Sequence, residues 1–453
     1  MGSLFGSLAS TAESMRAIER SMEVVQNNVT NASTPGYARQ TQVIVSNRFN
    51  PAQGLPGGIT AKDTLSARNS FAETAVRNER TALGASSQKA SDLVQVEQIF
   101  TVTDGSGING ALSDLFTSFS QLTVSPNDAS SRQVVLDRAQ AFAGTINAAS
   151  ANLGTASTSL NTQASSTMDH INKLAGQIAN LNKVLRDDIS SSQDSGLDAQ
   201  LHSALEELSK LANFTAIHQP DGSVSVYLGG QTPLVLGAKQ YQSSAGFQNG
   251  GIQINNEDGV DITSQITGGQ LGGLLEEKNS LFPAYTNDLN TLASSVANRV
   301  NAILQGGVDQ TGAAPATDLF TYNSTLGAAA TLRTNTLTPS QLAAAKPSAP
   351  GGNGNALDLS TLSSSKEING YSFTEFYGTT AAKVGRDLSN AKNDQQSRQQ
   401  LLDQATSVRE QVSGVNLDEE AAHLIVLQRG YQAAAKMLTV LNDMTGTVLD
   451  LLK

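Results

Sequence analysis

Apolar residues at the two ends of the chain follow the same helical spacing. Near the start, apolar or small side chains recur at alternating steps of three and four residues, at Leu8, Thr11, Met15, Ile18, Met22, Val25, Val29 and Ala32. Near the end, the same spacing recurs at Leu424, Leu427, Tyr431, Ala434, Leu438, Leu441, Thr445, Val448 and Leu452. This spacing lines one narrow stripe of a helix, as in a coiled coil. Because such a stripe needs a partner helix, we expect the ends to pair with each other or with neighbouring copies, which favours a protein that assembles.

Most of the chain between these ends has helical periodicity. Helical patterns run over 64–99, 111–122, 130–185 and 281–303, and a last one extends from near Thr379 to the C-terminus. The stretch 306–370 is rich in Ala, Thr, Gly and Pro and reads as irregular. The stretch 130–185 predicts one long helix or a helix pair of a bundle.

The pattern changes near Asn213. Two alternating runs flank Pro220-Asp221-Gly222, which predicts a β-hairpin. Ile252 and Ile254, followed by a Glu-Asp-Gly turn and Ile262, predict a second hairpin. Residues 210–268 therefore form a small β-rich insertion within a helical protein.

These patterns predict a mainly α fold with a small β-rich insertion, in which the terminal helices form a coiled coil, the middle forms a long helical bundle, and the domains are nested and discontinuous. We divide the chain into five segments. They are an N-terminal coiled-coil helix with an extended linker (1–62), the first part of the bundle (63–209), the β-rich insertion (210–268), the second part of the bundle with irregular loops (269–404), and a C-terminal coiled-coil helix that pairs with the first segment (405–453).

Composition and charge narrow the possible partners. The chain of 453 residues has a net charge of −11 and no dense basic run, so we expect no nucleic-acid partner, because affinity for phosphate needs clustered Lys and Arg. It has no cysteine, which excludes disulfides and thiolate metal sites. No run approaches the length of a membrane span, and the first ten residues lack the features of a Sec-type signal peptide. We therefore expect a protein that is cytosolic or exported without such a signal, with no membrane insertion.

Motifs typical of catalysis are weak or absent. Gly105 to Gly110 fits G-x-G-x-x-G, but the preceding run predicts a helix rather than the buried strand that a dinucleotide site requires, which favours a turn between helices. The four histidines, His170, His202, His218 and His423, are dispersed and form no metal-binding motif. We expect no enzymatic activity, no cofactor and no metal.

The run from Asn27 to Gln40, NNVTNASTPGYARQ, is more specific than a helix stop requires. It resembles the signature of bacterial flagellar axial proteins, in which Asn-Asn-hydrophobic-x-Asn-x-x-Thr-x-Gly-Tyr follows an N-terminal helix. Pro35 before Gly36, and Arg39-Gln40 after Tyr37, are similar to the hook-associated protein 1 branch of that group. The run from Ser413 to Lys436 resembles the closing motif of the same family, from which Gly430 and Leu427 depart. The runs 125–136 and 268–276 look like further landmarks of it.

This resemblance implies a structural subunit of the bacterial flagellum that joins hook to filament by polymerising. It implies an extracellular location in the flagellum, type III export, terminal helices that line an inner tube, and no turnover. The implied partners are other copies in a helical homopolymer or ring, the flagellar hook protein, a second hook–filament junction protein, and a cytosolic export chaperone at the C-terminal helix. The alternatives are a hook or rod subunit or, in another class, a secreted adhesin or effector whose β insertion binds a host surface.

We predict an assembly interface at both ends of the chain. Its residues are Leu8, Met15, Ile18, Met22, Val25, Val29, Asn31, Pro35, Gly36, Tyr37, Leu424, Leu427, Gly430, Tyr431, Leu438, Leu441, Val448 and Leu452. A helix accepts a glycine most readily where another backbone comes close, so we expect Gly430 to lie at such a contact. The acidic residues Asp418, Glu419 and Glu420 are expected to stabilise the positive end of the last helix. Because isolated helices of this kind are marginal in water, we expect the ends to be ordered only after assembly.

Overall fold

The computed structural model describes residues 2–50, 53–102, 105–187 and 194–450, and helices dominate it. The helices are α1 (Gly2–Asn31), α2 (Ser70–Ile99), α3 (Gly107–Val124), α4 (Ala129–Asp187), α5 (Ser195–Leu211), α6 (Gly269–Glu276), α7 (Phe282–Gln305), α8 (Ala328–Thr331), α9 (Gly354–Thr361), α10 (Phe373–Ser413) and α11 (Leu417–Asp450). A π-helical turn, Glu277–Leu281, joins α6 to α7. The strands are β1 (Gln40–Ser46), β2 (Phe49–Asn50), β3 (Leu55–Pro56), β4 (Ile59–Ser66), β5 (Phe214–His218), β6 (Val224–Leu228), β7 (Thr232–Leu236), β8 (Lys239–Gln240), β9 (Ser244–Gln248), β10 (Gly251–Asn255), β11 (Phe320–Thr321) and β12 (Arg333–Thr334).

The helical body is built around α2, α4, α7 and α10. The longest helix, α4, has 59 residues and contacts most other elements of the body, while α2 and α10 lie along each other. Local sequence signals fix the starts of the last two: the side chain of Asn69 caps α2, and Ser372 with Glu375 forms a reciprocal capping box at α10. Fully buried aromatic rings, among them Phe119, Phe142 and Tyr285, fill the space between the helices.

The β-rich unit is a four-stranded antiparallel sheet with strand order β5-β6-β7-β8, together with the hairpin β9–β10. The predicted hairpin around Pro220-Asp221-Gly222 is confirmed as β5–β6. The second predicted hairpin is present as a single antiparallel bridge across the Glu-Asp-Gly turn, whereas the partner strand of Ile252 and Ile254 is the preceding strand β9. The later turn adds a bridge between Asn255 and Asp261 and a hydrogen bond from Ile262 N–H to Ile254. The two-residue turn between β9 and β10 is held by Asn249 and Gly250, both at positive φ.

The chain path is nested, and the mainly α fold class is confirmed. The chain leaves α1 through a β ribbon of β1 and β4, passes through the body, and returns along α10 to α11, which packs against α1. The five-segment division stays a prediction, but its boundary at 404–405 lies inside α10. The break before the last helix lies instead at Gly414, and β4 continues past residue 62 to Ser66.

The segment 306–370, expected to be irregular, contains short ordered elements. The small hairpin β11–β12, two short helices and a 3-10 turn at Pro339–Gln341 pack on the body. The fully buried Arg132 on α4 holds this segment by donating hydrogen bonds to the backbone carbonyls of Pro339, at 3.1 Å, and Leu342, at 2.5 Å. Sequence periodicity missed this order because the segment is held by side chain–backbone bonds from a distant helix.

Asn182 joins α4 to the β unit. This fully buried side chain donates hydrogen bonds to the carbonyls of Val224 and Gly237, each at 2.8 Å, and accepts one from Val224 N–H at 2.9 Å. It therefore satisfies buried backbone groups at two points of the sheet.

We expect Asn182→Ala to lower the free energy of unfolding by about 3 kcal/mol, because it leaves buried backbone groups without partners. The measurement is chemical denaturation followed by circular dichroism. Asn180→Ala is the control, since Asn180 is exposed on the same helix. Equal stability of the two variants would contradict the role assigned to Asn182.

Candidate assembly site: the paired ends and their joint to the body

The terminal helices α1 and α11 pack along each other as the sequence predicted. The seam contains buried Val25 and Thr445, and partly buried side chains at Leu8, Met15, Ile18, Met22, Leu424, Leu427, Tyr431, Leu438 and Leu441. Partial burial shows that two helices alone do not cover this seam. Val29 and Val448 are still 43% and 37% exposed. Leu452 lies outside the described residues.

Gly430 faces Ile18 across the helix pair. A Cβ placed at Gly430 would lie 3.6 Å from Ile18 Cδ1, an ordinary van der Waals distance. The close backbone approach expected at Gly430 is therefore absent between α1 and α11. A role for this glycine between copies stays a prediction.

A second apolar stripe runs along α11 on a face that α1 does not cover. Val426, Met437, Val440 and Met444 are 65%, 60%, 52% and 52% exposed. Their spacing of eleven, three and four residues keeps them on one side of the helix. We call these four residues the outer stripe of α11. Apolar side chains aligned in this way on an exposed helix mark a surface for a partner.

Asn28 is the centre of the joint between the helix pair and the rest of the chain. Its side chain, 1% exposed, pairs with the backbone of Gln40 as a neighbouring strand would, with its Nδ2 donating to the carbonyl oxygen and its Oδ1 accepting from the N–H, both at 2.8 Å. Oδ1 also accepts from the Tyr37 hydroxyl at 2.9 Å, and Nδ2 donates to Glu420 at 3.1 Å. The amide thus makes all four hydrogen bonds available to it. Burial, with a smaller contribution from the nearby Glu420, raises the pKa of Tyr37, so its hydroxyl remains a donor.

Glu420 links this network to α11. Its side chain is 1% exposed and accepts a hydrogen bond from Arg39 Nε at 2.6 Å in addition to that from Asn28. Glu420 lies in the first turn of α11 as expected, but its side chain is buried, whereas Asp418 and Glu419 are exposed there. A buried carboxylate is stable only with such partners. The backbone N–H of Arg39 also donates a hydrogen bond to the carbonyl of Ser413, at 2.9 Å. Arg39 therefore contacts both sides of the break between α10 and α11.

The turn after α1 rests on α5. Gly36 has a φ of +76°, and a Cβ there would overlap the backbone of Ala199 and Ser203. Arg68 Nη2 donates to the Gly36 carbonyl at 2.6 Å. Only glycine fits this contact, because it combines positive φ with close approach to a neighbouring helix. Asn31, partly buried, bonds to other side chains of the turn, and Pro35 is exposed at its edge.

Charged side chains join α2, α5 and α10 next to this turn. Arg68 pairs with Glu73 and with Asp198, each at 2.7 Å, and Arg409 pairs with Glu206 at 3.1 Å. Arg409 also lies 3.7 Å from Glu73. These ion pairs are largely shielded from water, so loss of either partner would leave a charge without compensation and weaken the joint.

Two histidines, buried His202 and the more exposed His218, lie beside these charges. The rings of His202 on α5 and His218 on β5 stack with centroids 5.6 Å apart and an angle of 18°. Burial, then the positive charges of Arg68 and the neighbouring ring, lowers the pKa of His202 to about 2. Burial, then Arg77, also lowers the pKa of His218. Both rings are therefore neutral at neutral pH.

The structure divides the predicted interface residues into two groups. The stripe residues lie on the helix pair, while Asn31, Pro35, Gly36 and Tyr37 belong to the turn at the joint. That they contact neighbouring copies stays a prediction. Sequence reasoning missed the residues that hold the joint, namely Asn28, Arg39, Arg68, Glu73, Asp198, Glu206, Arg409 and Glu420. Asn28 and Arg39 stood within the N-terminal motif, whereas no local signal identified the other six as partners.

Two structural features are absent from the described part of the chain. There, no helix has the length and apolar character needed to cross a membrane. Within the same residues, no three side chains of His, Cys, Asp or Glu converge as metal ligands. The G-x-G-x-x-G run leads from the end of α2 into α3 rather than following a strand, in agreement with the sequence analysis.

The fold and this joint define a protein with paired chain ends and a nested helical body. The family model described as the flagellar hook-associated protein FlgK helical domain matches residues 93–320, and the model of the flagellar basal body rod FlgEFG protein C-terminal region matches residues 410–451. The chain belongs to the FlgK family of flagellar hook-associated proteins.

Relatives and a solved structure agree with this membership. The chain is 26% identical to flagellar hook-associated protein 1 of Bacillus subtilis, over 99% of both chains. It is 22% identical to the protein of the same name from Escherichia coli, over 96% of this chain and 98% of the other. The flagellar hook junction protein FlgK from Burkholderia pseudomallei has a similar fold, with a TM-score of 0.68 and 19% identity, over 75% of this chain and 100% of that chain.

We expect Glu420→Ala to weaken the joint by about 2 kcal/mol, because it removes two buried, charge-assisted hydrogen bonds. Hydrogen exchange read by mass spectrometry should show faster exchange over β1 and the first turns of α11. The matched control is Glu419→Ala, since Glu419 is 65% exposed and 4.0 Å from Arg39. Unchanged exchange in the Glu420 variant would show that the carboxylate does not hold the joint.

We expect acid to destabilise the protein through His202. Its pKa in the folded state lies below the ordinary 6.5, so the unfolded chain binds the extra proton and stability falls as the pH drops below about 6.5, by about 1.4 kcal/mol per pH unit. Denaturant unfolding at about pH 7 and about pH 5 should show about 2 kcal/mol less loss in His202→Phe than in the unaltered protein. His423→Gln, at an exposed position, should behave as the unaltered protein. The same pH dependence in all three proteins would exclude His202 as the source.

Proposed function

We propose that this protein is a structural subunit that joins the flagellar hook to the filament by polymerising. The observation that carries the proposal is the outer stripe of α11, an apolar surface on a helix whose other face is already taken by α1. Family membership supports the flagellar setting, since the relatives are named flagellar hook-associated protein 1 and the similar structure is described as a hook junction protein.

The joint gives this surface a defined direction. Because Glu420, Asn28 and Arg39 tie the helix pair to the ribbon, the outer stripe of α11 is presented at a fixed place relative to the body. Neighbouring copies that cover the stripe would form a tube of terminal helices with the bodies outside. The role is structural, with no turnover and no cofactor.

The proposed partners follow from the same surface. Copies of this chain pack through the terminal helices, and the rows at either end of the ring meet the hook protein and a second junction protein. Before assembly, the exposed stripe needs a cover, which fits a cytosolic export chaperone at the C-terminal helix. We propose that the protein reaches the extracellular flagellum by type III export, without a Sec signal peptide.

A hook or rod subunit is the second candidate. It is favoured by one observation, the match of residues 410–451 to the C-terminal model of rod proteins. That match covers α11 and the end of α10, so it concerns the part of the chain that packs into the tube. The body from 93 to 320 matches the hook-associated family and favours the junction.

The test is complementation of a strain from which the gene is deleted. We expect the strain to build hooks but to release flagellin into the medium, and the unaltered gene to restore filaments. Met437→Asp with Met444→Asp should not restore them, because two carboxylates on the outer stripe would have to be desolvated at the contact. The measurement is swimming motility together with secreted flagellin.

Thr439→Asp is the control, because Thr439 is exposed on another side of α11. It should restore motility. Normal filaments in the deletion strain would exclude the junction role. Loss of hooks in that strain would favour the hook or rod alternative.

A further inference from the structure

A buried acidic group lies at the corner between α6 and α7. Glu277 opens the π-helical turn and is 0% exposed. Neither of its carboxylate oxygens accepts a hydrogen bond from an N–H or O–H donor of the described residues. A single π-helical turn inserted in a helix is uncommon and is found most often at sites with a particular role. An ionised carboxylate without a partner would be very costly in this position.

Glycines bring Glu277 against α2. A Cβ at Gly273 of α6 would lie 2.9 Å from the carbonyl oxygen of Ala85 and 3.2 Å from Gln88 Cβ. Gly84 on α2 likewise lies against Gly269 at the start of α6. The two helices therefore approach more closely than side chains would allow, and the turn that follows α6 is carried onto the face of α2 that bears Asp92.

Asp92 is the acidic side chain whose charge acts most strongly on Glu277. Its side chain is 9% exposed and accepts a hydrogen bond from Gln88 Nε2 at 2.6 Å. The same amide nitrogen donates to Gln163 of α4 at 2.7 Å. The Gln88 amide thus holds the Asp92 carboxylate in place. Because the amide is neutral, it supplies no positive charge to compensate a second carboxylate nearby.

The two nearby lysine side chains bind groups other than Glu277. Lys89 on α2 pairs with Glu276 at 3.0 Å, and the Lys278 ammonium donates to the Ser157 hydroxyl of α4 at 2.7 Å. Tyr285 of α7 donates its hydroxyl to Asp387 at 2.7 Å, and Lys383, beside the Tyr285 ring, pairs with Asp288 at 3.1 Å. Burial, followed by the charge of Asp92, raises the pKa of Glu277 to about 9.

We propose that Glu277 and Asp92 form a proton-binding carboxyl pair, in which Glu277 is a neutral acid at neutral pH and shares its proton with Asp92. The bound proton lets the π-helical turn stay packed on α2. Loss of that proton places two negative charges in a buried corner, so the packing of α6 and α7 on α2 weakens. The Glu277 carboxyl therefore favours the folded body most in acid, and this contribution declines as the pH rises towards about 9, independently of how the terminal helices assemble.

The sign follows from proton linkage. The folded chain holds a proton on Glu277 over the range from its ordinary pKa of 4.5 to about 9, whereas the unfolded chain has released it. Folding therefore weakens as the pH rises across this range, by about tenfold in the folding equilibrium constant per pH unit for one proton.

The first test is the pH dependence of denaturant unfolding for the full chain. Between about pH 6 and about pH 8, the folding constant of the unaltered protein should fall by about tenfold per pH unit more than that of Glu277→Gln, which cannot lose a proton. Glu276→Gln is the matched control, since its side chain is 52% exposed and next in sequence. Parallel curves for the unaltered protein and Glu277→Gln would overturn the proposal.

The second test needs no change in stability. Infrared difference spectra of the unaltered protein should show the C=O stretch of a protonated carboxylic acid at neutral pH, which disappears on alkaline titration. The band should be missing in Glu277→Gln. If that variant does not fold, Asp92→Asn should shift the disappearance of the band to lower pH, because the repelling charge is gone. Absence of the band at neutral pH, or dependence of stability on the cation present rather than on pH, would overturn the proposal.

Discussion

The buried carboxylate of Glu420 is the interaction on which the arrangement of the chain ends depends. It lies between Arg39 and Asn28, two residues of the N-terminal motif, and it belongs to the first turn of the C-terminal helix. Without it, α11 would be held to the rest of the molecule mainly by a partly buried seam with α1. A half-covered seam between two helices stabilises only weakly. The polar joint therefore fixes the position of the helix pair, while the apolar seam fixes its register.

The body follows a different principle from the ends. Its core is dry and continuous, with α2, α4, α7 and α10 joined through fully buried aliphatic and aromatic side chains. Glycines at Gly36, Gly84 and Gly273 allow backbones to approach closely, and buried amides such as Asn28 and Asn182 replace missing strand or loop partners. Directional polar contacts are thus used where elements of different type meet, and apolar packing is used between helices.

Sequence reasoning recovered the helices, the first hairpin and the pairing of the ends, because each leaves a local period or turn signal. It did not recover the joint. Glu420 is an acidic residue of the kind expected in the first turn of a helix, and nothing near it in sequence indicates that its side chain would be buried against Arg39. The pairing of β10 with β9 across Asn249-Gly250 was not predicted, although Asn-Gly is a strong signal for a two-residue hairpin turn. The π-helical turn at Glu277 was not predicted, since the helical pattern in the sequence begins only at Leu281.

The joint also connects residues that lie far apart along the chain. Asn28 and Glu420 are 392 positions apart, so their hydrogen bond closes almost the whole polypeptide into one loop. The folded body brings the two ends near each other, so the entropy cost of closing so long a loop is met by the folding of the body rather than by this contact. A chain shortened before Leu417 would lack α11 and, with it, the closing hydrogen bonds. The contact between the two ends thus depends on the fold of everything that lies between them.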